Sequence, residues 1–194
     1  RLPKKPTLDS LSQLEGWRVN IGAAGSGVPH LATRLLEANR IDASAIALSQ
    51  QPVTPAVIEL LESRLDALVL ASAPESAMVQ MLLQTPGIAL FDFAQADAYH
   101  RRFPFLSKLT LPQGVADLVH DYPPFDITLL APTANLIVRD DLHPALQSLL
   151  LQAASEVHGR AGFFQRAGEF PAYKDRLVPL SPEAARYFKS GPPF

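Results

Sequence analysis

Residues 22–27, "GAAGSG", hold the combination of types most able to do chemistry in this chain. A β-branched run, "WRVNIG", leads in, and a helical spacing follows at once. A glycine-rich turn placed there presents bare backbone N–H groups at a helix start. The helix dipole adds roughly half a positive charge at that end. Gly25, Ser26 and Gly27 therefore offer unhindered amides and one hydroxyl, a set that suits a carboxylate or similar small anion. Other cradles do not fit. Gly22 and Gly27 have P-loop spacing, but Val28 and Pro29 stand where the lysine and the magnesium-binding hydroxyl must be. His30 occupies the third position of a dinucleotide fingerprint and is too bulky for it. Ser26 lacks the frame of a nucleophile elbow. A plain strand-to-helix turn without any ligand explains the same residues equally well.

A second turn, "LASAPESAM" (70–78), repeats the order of strand, small hydroxylated turn and helix. Open α/β sheets bind ligands beyond the carboxyl ends of their strands, so Ser72 and Ala73 are candidates to line the same crevice. Ser72 taken alone reads more simply as a helix cap. A third candidate is "PTAN" (132–135), where Thr133 and Asn135 either reach a cleft or satisfy turn backbone.

The ionisable residues assemble into nothing catalytic. His30, His100, His120, His143 and His158 have no zinc-binding spacing, and there is no cysteine. "RDD" (139–141) reads as the acidic start of a helix before it reads as a cation site, and "RRF" (101–103) as a solvated surface. No nucleophile–base pair emerges. The expectation is a binding protein without catalysis, cofactor or metal.

The elements that must position these turns alternate. Strands are expected at 17–22, 44–49, 66–71 and 87–91. Helices are expected from Gly27 to Ala38, after Thr54 as cap with Pro55 in its first turn, and from Pro74. Val57, Ile58, Leu61 and Leu65 form the second helix's buried stripe, and Met78, Met81 and Leu82 turn inward on the third. The pattern predicts an α/β fold with a mostly parallel sheet and flanking helices. Beyond residue 92 come a short helix and a strand or extended connection at 106–112. An irregular proline-bearing stretch follows, then two strands in 126–142 separated by Pro132. Asp141 is expected to cap the next helix, with Pro144 in its first turn and an apolar face of Leu142, Leu146, Leu149, Leu150, Ala153 and Val157. Ser181, Pro182 and Glu183 start a last helix over 181–189.

Composition sets the outer bounds. The 194 residues are 47% hydrophobic and 19% charged, enough apolar material for a core. A net charge of −2 and a pI near 6.2 argue against a nucleic-acid partner. No apolar run approaches the roughly 18 residues of a membrane span.

The strings "LEGWRVNIGAAGSG", "LDALVLASAPES", "ITLLAPTANLIVRDDLHPAL" and "GFFQRAGEFPA…PLSPEAARYFKSGPPF" resemble the TAXI-type solute-binding components of TRAP transporters. Within them the chain is similar to the membrane-associated branch close to NMT1-like periplasmic binding proteins, from about Leu14 to Phe194. The resemblance implies a type II periplasmic-binding-protein fold, with two α/β lobes that close on a small ligand. It implies an extracytoplasmic receptor for a small organic anion, an amino acid or dicarboxylate, handed to a TRAP membrane permease. It also implies a membrane tether in the full-length protein. The family's ligand turn matches at Gly25, Ser26 and Gly27, while Val28 replaces its usual following hydroxyl. Asn39 and Arg40 replace its usual Asn-Gly helix stop.

Against that pattern, residues 1–16 read as a lead-in and 17–126 as the second lobe. Residues 127–194 read as a crossing strand and helices returning to the first lobe, whose N-terminal half is missing. This arrangement predicts weak ligand binding by the chain as it stands. Two other classes share the fold: the effector-sensing domain of a LysR-type regulator, and an NMT1-like biosynthetic enzyme. The first calls for a DNA-binding segment upstream, the second for histidines or carboxylates converging on the cleft.

Overall fold

The computed structural model describes residues 8–175 and 178–192. The chain divides after Asp92 into two compact units.

The first unit alternates strand and helix: β1 (Arg18–Asn20), α1 (Gly27–Ala38), β2 (Ala47–Ser49), α2 (Val53–Leu61), β3 (Ala67–Leu68) and α3 (Ala77–Leu83). The strands form one small parallel sheet in the order β2-β1-β3. Arg18 pairs with Ala47, and Asn20 with both Ser49 and Leu68. Val19 and Ile21 go into a core with Ala32 and Leu36 of α1, Ile41 and Ile46. Leu14 joins that core from a short 3-10 turn, Leu11–Leu14, which Ser10 and Gln13 close reciprocally as a capping box. At the amino edge of the sheet Arg18 grips Asp66. Its guanidinium reaches both carboxylate oxygens at 2.8 and 3.0 Å, and its own N–H donates to Oδ2 at 2.8 Å. That bidentate pair fixes β3 beside β1.

Several expectations need correction. Helix α2 starts at Val53 after Pro52, so Thr54 does not cap it but lies inside its first turn, where Pro55 sits as expected. A proline is tolerated anywhere among the first positions, where the N–H has no partner, and so does not fix the start. Of the expected α2 stripe, Val57 and Leu65 are buried while Ile58 and Leu61 are exposed. Helix α3 begins after Ser76, not at Pro74, which sits in the preceding turn. Leu82 is buried as expected, Met81 is exposed, and Leu83 is buried in its place. Residues 87–91 form no strand. At their start Ile88 N–H donates to Thr85 O, and Gly87 at φ 88° turns the chain.

The second unit holds α4 (Ala96–Arg102), β4 (Leu106–Leu111), β5 (Ile127–Pro132), α5 (Pro144–His158) and α6 (Pro182–Ser190). β4 and β5 pair antiparallel over six residues, from Leu106 opposite Pro132 to Leu111 opposite Ile127. Leu106, Leu111, Ile127, Phe103 and Ala96 are buried. Beyond Pro132 no second strand follows, and Leu136 and Ile137 are exposed. Helix α6 matches expectation: Ser181 Oγ accepts from Ala184 N–H, Pro182 takes the first turn and Glu183 follows. Helix α5 differs in two ways. His143, not Asp141, caps it by accepting from Ala145 N–H, because the Asp141 carboxylate is bonded to Arg139. Its apolar face forms but is turned to solvent: Leu146, Leu149, Leu150 and Val157 are exposed, while Gln147, Ser148 and Leu151 are buried.

Candidate ligand edge of the parallel sheet

Because β1, β2 and β3 run parallel, the three loops that leave them emerge at one edge, with neighbouring strands roughly 5 Å apart. The loop after central β1 carries the glycine turn. Gly22 is buried with φ 92°, and a Cβ there would lie 2.8 Å from Val28 Cβ and 2.9 Å from its Cγ1. The chain can pass this close to the first turn of α1 only with glycine. Ala23 and Ser26 then close a tight turn: Ser26 N–H donates to Ala23 O at 3.1 Å, and Ser26 Oγ–H donates to the same carbonyl at 2.7 Å.

Ser26 is the N-cap residue of α1, yet its side chain makes no cap bond. The first-turn N–H groups of Gly27 and Val28 thus receive no side-chain acceptor from it. The third position is Pro29, which has no N–H. Gly25, Ser26 and Gly27 are all exposed. Gly25 has φ 80°, which accounts for its type. Gly27 has an ordinary φ, and a Cβ there would meet nothing within 4 Å. Neither backbone nor packing asks for glycine at 27.

The loop after β3 repeats the turn. Ser76 N–H donates to Ala73 O at 3.1 Å, the same closure as at Ser26 and Ala23. Here the serine caps its own helix, its Oγ accepting from Val79 N–H at 3.3 Å. Ser72, expected as that cap, is displaced from the role and shares a 3.1 Å hydrogen bond between its hydroxyl and that of Ser76. Ser72 and Ala73 are exposed beside the β1 loop's edge of the sheet.

The loop after β2 is organised by Asn20, which is fully buried at the end of β1. Its Oδ1 accepts from Gln51 N–H at 2.8 Å and from Ser49 Oγ at 3.2 Å, and its Nδ2 donates to Gln51 O at 3.2 Å. Gln51 in turn donates from Nε2 to Glu59 of α2 at 2.9 Å. Sequence reasoning missed Asn20, although an amide inside the apolar run "RVNIG" is the signal that could have found it.

Gly25, Ser26, Gly27, Ser72 and Ala73 thus share one edge of one sheet. Thr133 and Asn135 belong to the second unit, where each is engaged. Thr133 donates from N–H and Oγ1 to Phe105 O, and Asn135 Nδ2 donates to Asp175 at 2.9 Å. The "RDD" carboxylate Asp141 is held by Arg139 through two 2.8 Å hydrogen bonds, which keep it below the usual carboxylate range. Among the described residues no three histidine or acidic side chains gather as metal ligands, and no helix is long and apolar enough to cross a membrane. The edge offers backbone donors and hydroxyls, and the Glu59 carboxylate beside them is occupied by Gln51.

The family model described as the NMT1-like family matches residues 2–190 of the chain. No curated protein matches it.

Proposed function

We propose, from the premise that this chain belongs to the NMT1-like family, that it is an extracytoplasmic receptor for a small organic anion. The family is one of solute-binding-type proteins. On this reading the anion is an amino acid or dicarboxylate, its carboxylate held by the α1 amides, and the receptor delivers it unchanged to a TRAP-type membrane permease as a TAXI component does. It catalyses nothing, and it is tethered at the membrane in its full-length form.

The observation that carries the reading is Gly27. It is exposed at the first position of an uncapped helix, with ordinary backbone and open space in front of it. Glycine costs conformational entropy wherever it is not needed, so a reason outside the fold is called for. A carboxylate approaching the amides closely supplies one. The neighbouring hydroxyls of Ser72 and Ser76 are suited to a second polar group of the same ligand.

Amide chemical shifts of the 15N-labelled chain test this, because they read weak binding residue by residue. Glutamate, 2-oxoglutarate and succinate are titrated in turn. The expected result is a saturable shift of Gly25, Gly27, Val28 and Ser72–Ser76 with at least one of them, while chloride at equal ionic strength has no such effect. Shifts confined to other parts of the chain, or none with any of the three acids, refute the reading.

A further inference from the structure

Residues 112–126 join β4 to β5 by a connection far longer than the roughly two to five residues of an ordinary hairpin loop. A loop of that length is as a rule either functional or a disordered linker. This one is firmly built. Gly114 N–H donates to Pro123 O at 2.9 Å, and Asp117 and Tyr122 exchange backbone hydrogen bonds at 3.1 and 2.9 Å. Gln113 ties the base: its N–H donates to Asp126 Oδ1 at 2.8 Å and its Nε2 to Asp121 Oδ2 at 2.7 Å. Gly114 and Pro123 are buried. At the tip the Asp117 carboxylate accepts from the N–H groups of Val119 and His120 at 2.9 and 3.1 Å and pairs with His120 Nδ1 at 2.7 Å. What this frame holds up is apolar. Leu118 and Val119 are each 87% exposed, the most exposed large hydrophobic side chains among the described residues. Turn chemistry ordinarily places polar residues at such a tip, and side chains this exposed add little to any core.

We propose that the tip of this loop, Leu118 and Val119, inserts into an apolar pocket rimmed by Lys and Arg on a partner protein. Charge selects that occupant. From residue 109 to residue 138 the chain holds no Lys or Arg, and its acids there are Asp117, Asp121 and Asp126. All three lie on the loop, and each accepts hydrogen bonds from the loop itself, so negative charge is fixed along it. An apolar tip on an acidic stem is complementary to a basic rim around an apolar pocket, and like charge repels it from an anionic lipid surface. Rigidity supports docking as well. The tip is already held in one conformation, so little ordering entropy is lost when it is buried. Two aliphatic anchors at the centre of a contact, ringed by charge, have the anatomy of a binding hot spot. This surface belongs to the second unit and stands independently of the ligand edge on the first.

Selection of a random peptide library displayed on phage reads the chemistry of the pocket without a known partner. The full chain is the target, and the chain carrying Leu118→Ser and Val119→Ser together is the counter-target. The double substitution leaves the melting temperature unchanged, because both side chains are exposed and Val119 enters the frame only through its backbone. The expected result is a set of peptides that combine aromatic or aliphatic residues with Lys or Arg. Made synthetically, they shift the amides of residues 115–122 in the 15N spectrum, and the double substitution raises their dissociation constant at least about tenfold. Raising the salt from about 0.05 M to about 0.5 M weakens them further, since the rim contacts are screened. Failure of any peptide to tell the two chains apart overturns the proposal. So does recovery of purely apolar peptides, which removes the basic rim. Self-association of the chain that the double substitution abolishes gives the tip to a second copy and overturns it. Binding to phosphatidylcholine or phosphatidylglycerol vesicles that the same substitutions abolish gives the tip to lipid and overturns it as well.

Discussion

Replacing Gly22 by alanine tests how the glycine turn is built, and replacing Gly27 tests what it is for. At Gly22 a Cβ meets two penalties at once. Holding an L-residue near φ 92° costs about 1–2 kcal/mol. Overlap with Val28, 2.8 Å from Cβ and 2.9 Å from Cγ1, adds about 1–3 kcal/mol, since α1 is anchored through Pro29, Ala32 and Leu36 and cannot back away freely. Loss of glycine's freedom in the unfolded chain returns about 0.4–1 kcal/mol. The net is a destabilisation of about 2–4 kcal/mol, or a fall of about 1–2 M in the urea midpoint for a slope of about 2 kcal/mol/M. Trp17, the single tryptophan, packs against the core of this same unit and reports its unfolding by fluorescence. Adding Val28→Gly removes the overlap but not the backbone strain, so the double-mutant cycle returns a favourable coupling of about 1–2 kcal/mol. Gly27→Ala meets neither penalty and leaves the midpoint unchanged or slightly raised, by up to about 1 kcal/mol. It also abolishes the carboxylate-induced shifts at Val28, because the new methyl occupies the approach to the amides. A Gly22→Ala chain within about 0.5 kcal/mol of the parent refutes the geometry of the turn. A Gly27→Ala chain that keeps its ligand response refutes the role given to the open space.

Two further outcomes follow from the same edge. Asn20→Ala removes three hydrogen bonds from a fully buried amide and leaves Gln51's backbone groups to find other partners. The first unit then loses about 2–4 kcal/mol by urea unfolding, and a loss below about 0.5 kcal/mol means that Asn20 does not hold the β2 loop. Ser76→Ala costs about 1 kcal/mol through the lost cap on α3, whereas Ser26→Ala is near neutral because Ser26 caps nothing. Equal losses at the two serines contradict the difference in their side-chain bonding.

The sequence was most legible where one residue type settles the backbone by itself. Gly27–Ala38 came out at its expected bounds and Pro182–Ser190 at its expected start, because Ser26 and Ser181 sit in extended conformation just ahead of a sustained helical spacing. It was less legible where a residue is compatible with several positions. Thr54 falls inside α2 and not ahead of it, and Pro74 in a turn before α3, and nothing local separates those places from a cap or a first turn. Strand length was harder still, since a strand exists only as far as its neighbour pairs with it. The apolar run 66–71 yields a two-residue strand, and the equally apolar 87–91 yields none. Periodicity found the apolar face of α5 correctly but not its direction. The stripe of leucines says where a helix is greasy, and tertiary context decides whether that face meets the protein's own core. In the candidate site, glycine and serine announced the turns, while Asn20 passed unnoticed among hydrophobic neighbours.

The three loops at the carboxyl edge show how a fold closes its own polar groups and where it leaves them open. After β2, Asn20 and the Gln51–Glu59 pair satisfy the loop from within. After β3, Ser76 caps α3 and Gln80 returns to Pro74 O. Helices α5 and α6 are likewise capped by side chains, from His143 and Ser181. Only α1 and α2 lack a side-chain cap among the helices that head a sheet loop, and α2 is preceded by proline, which has no acceptor to give. Ser26 has the acceptor and directs its hydroxyl to Ala23 instead. Forgoing a cap costs a helix about 1 kcal/mol, and a bound carboxylate would restore it at the same N–H groups. Ligand affinity and the stability of the first unit are then one linked quantity. Saturating anion raises the melting of the unit that holds Trp17 in proportion to the logarithm of its concentration, and it has no direct hold on the β4–β5 pair of the other.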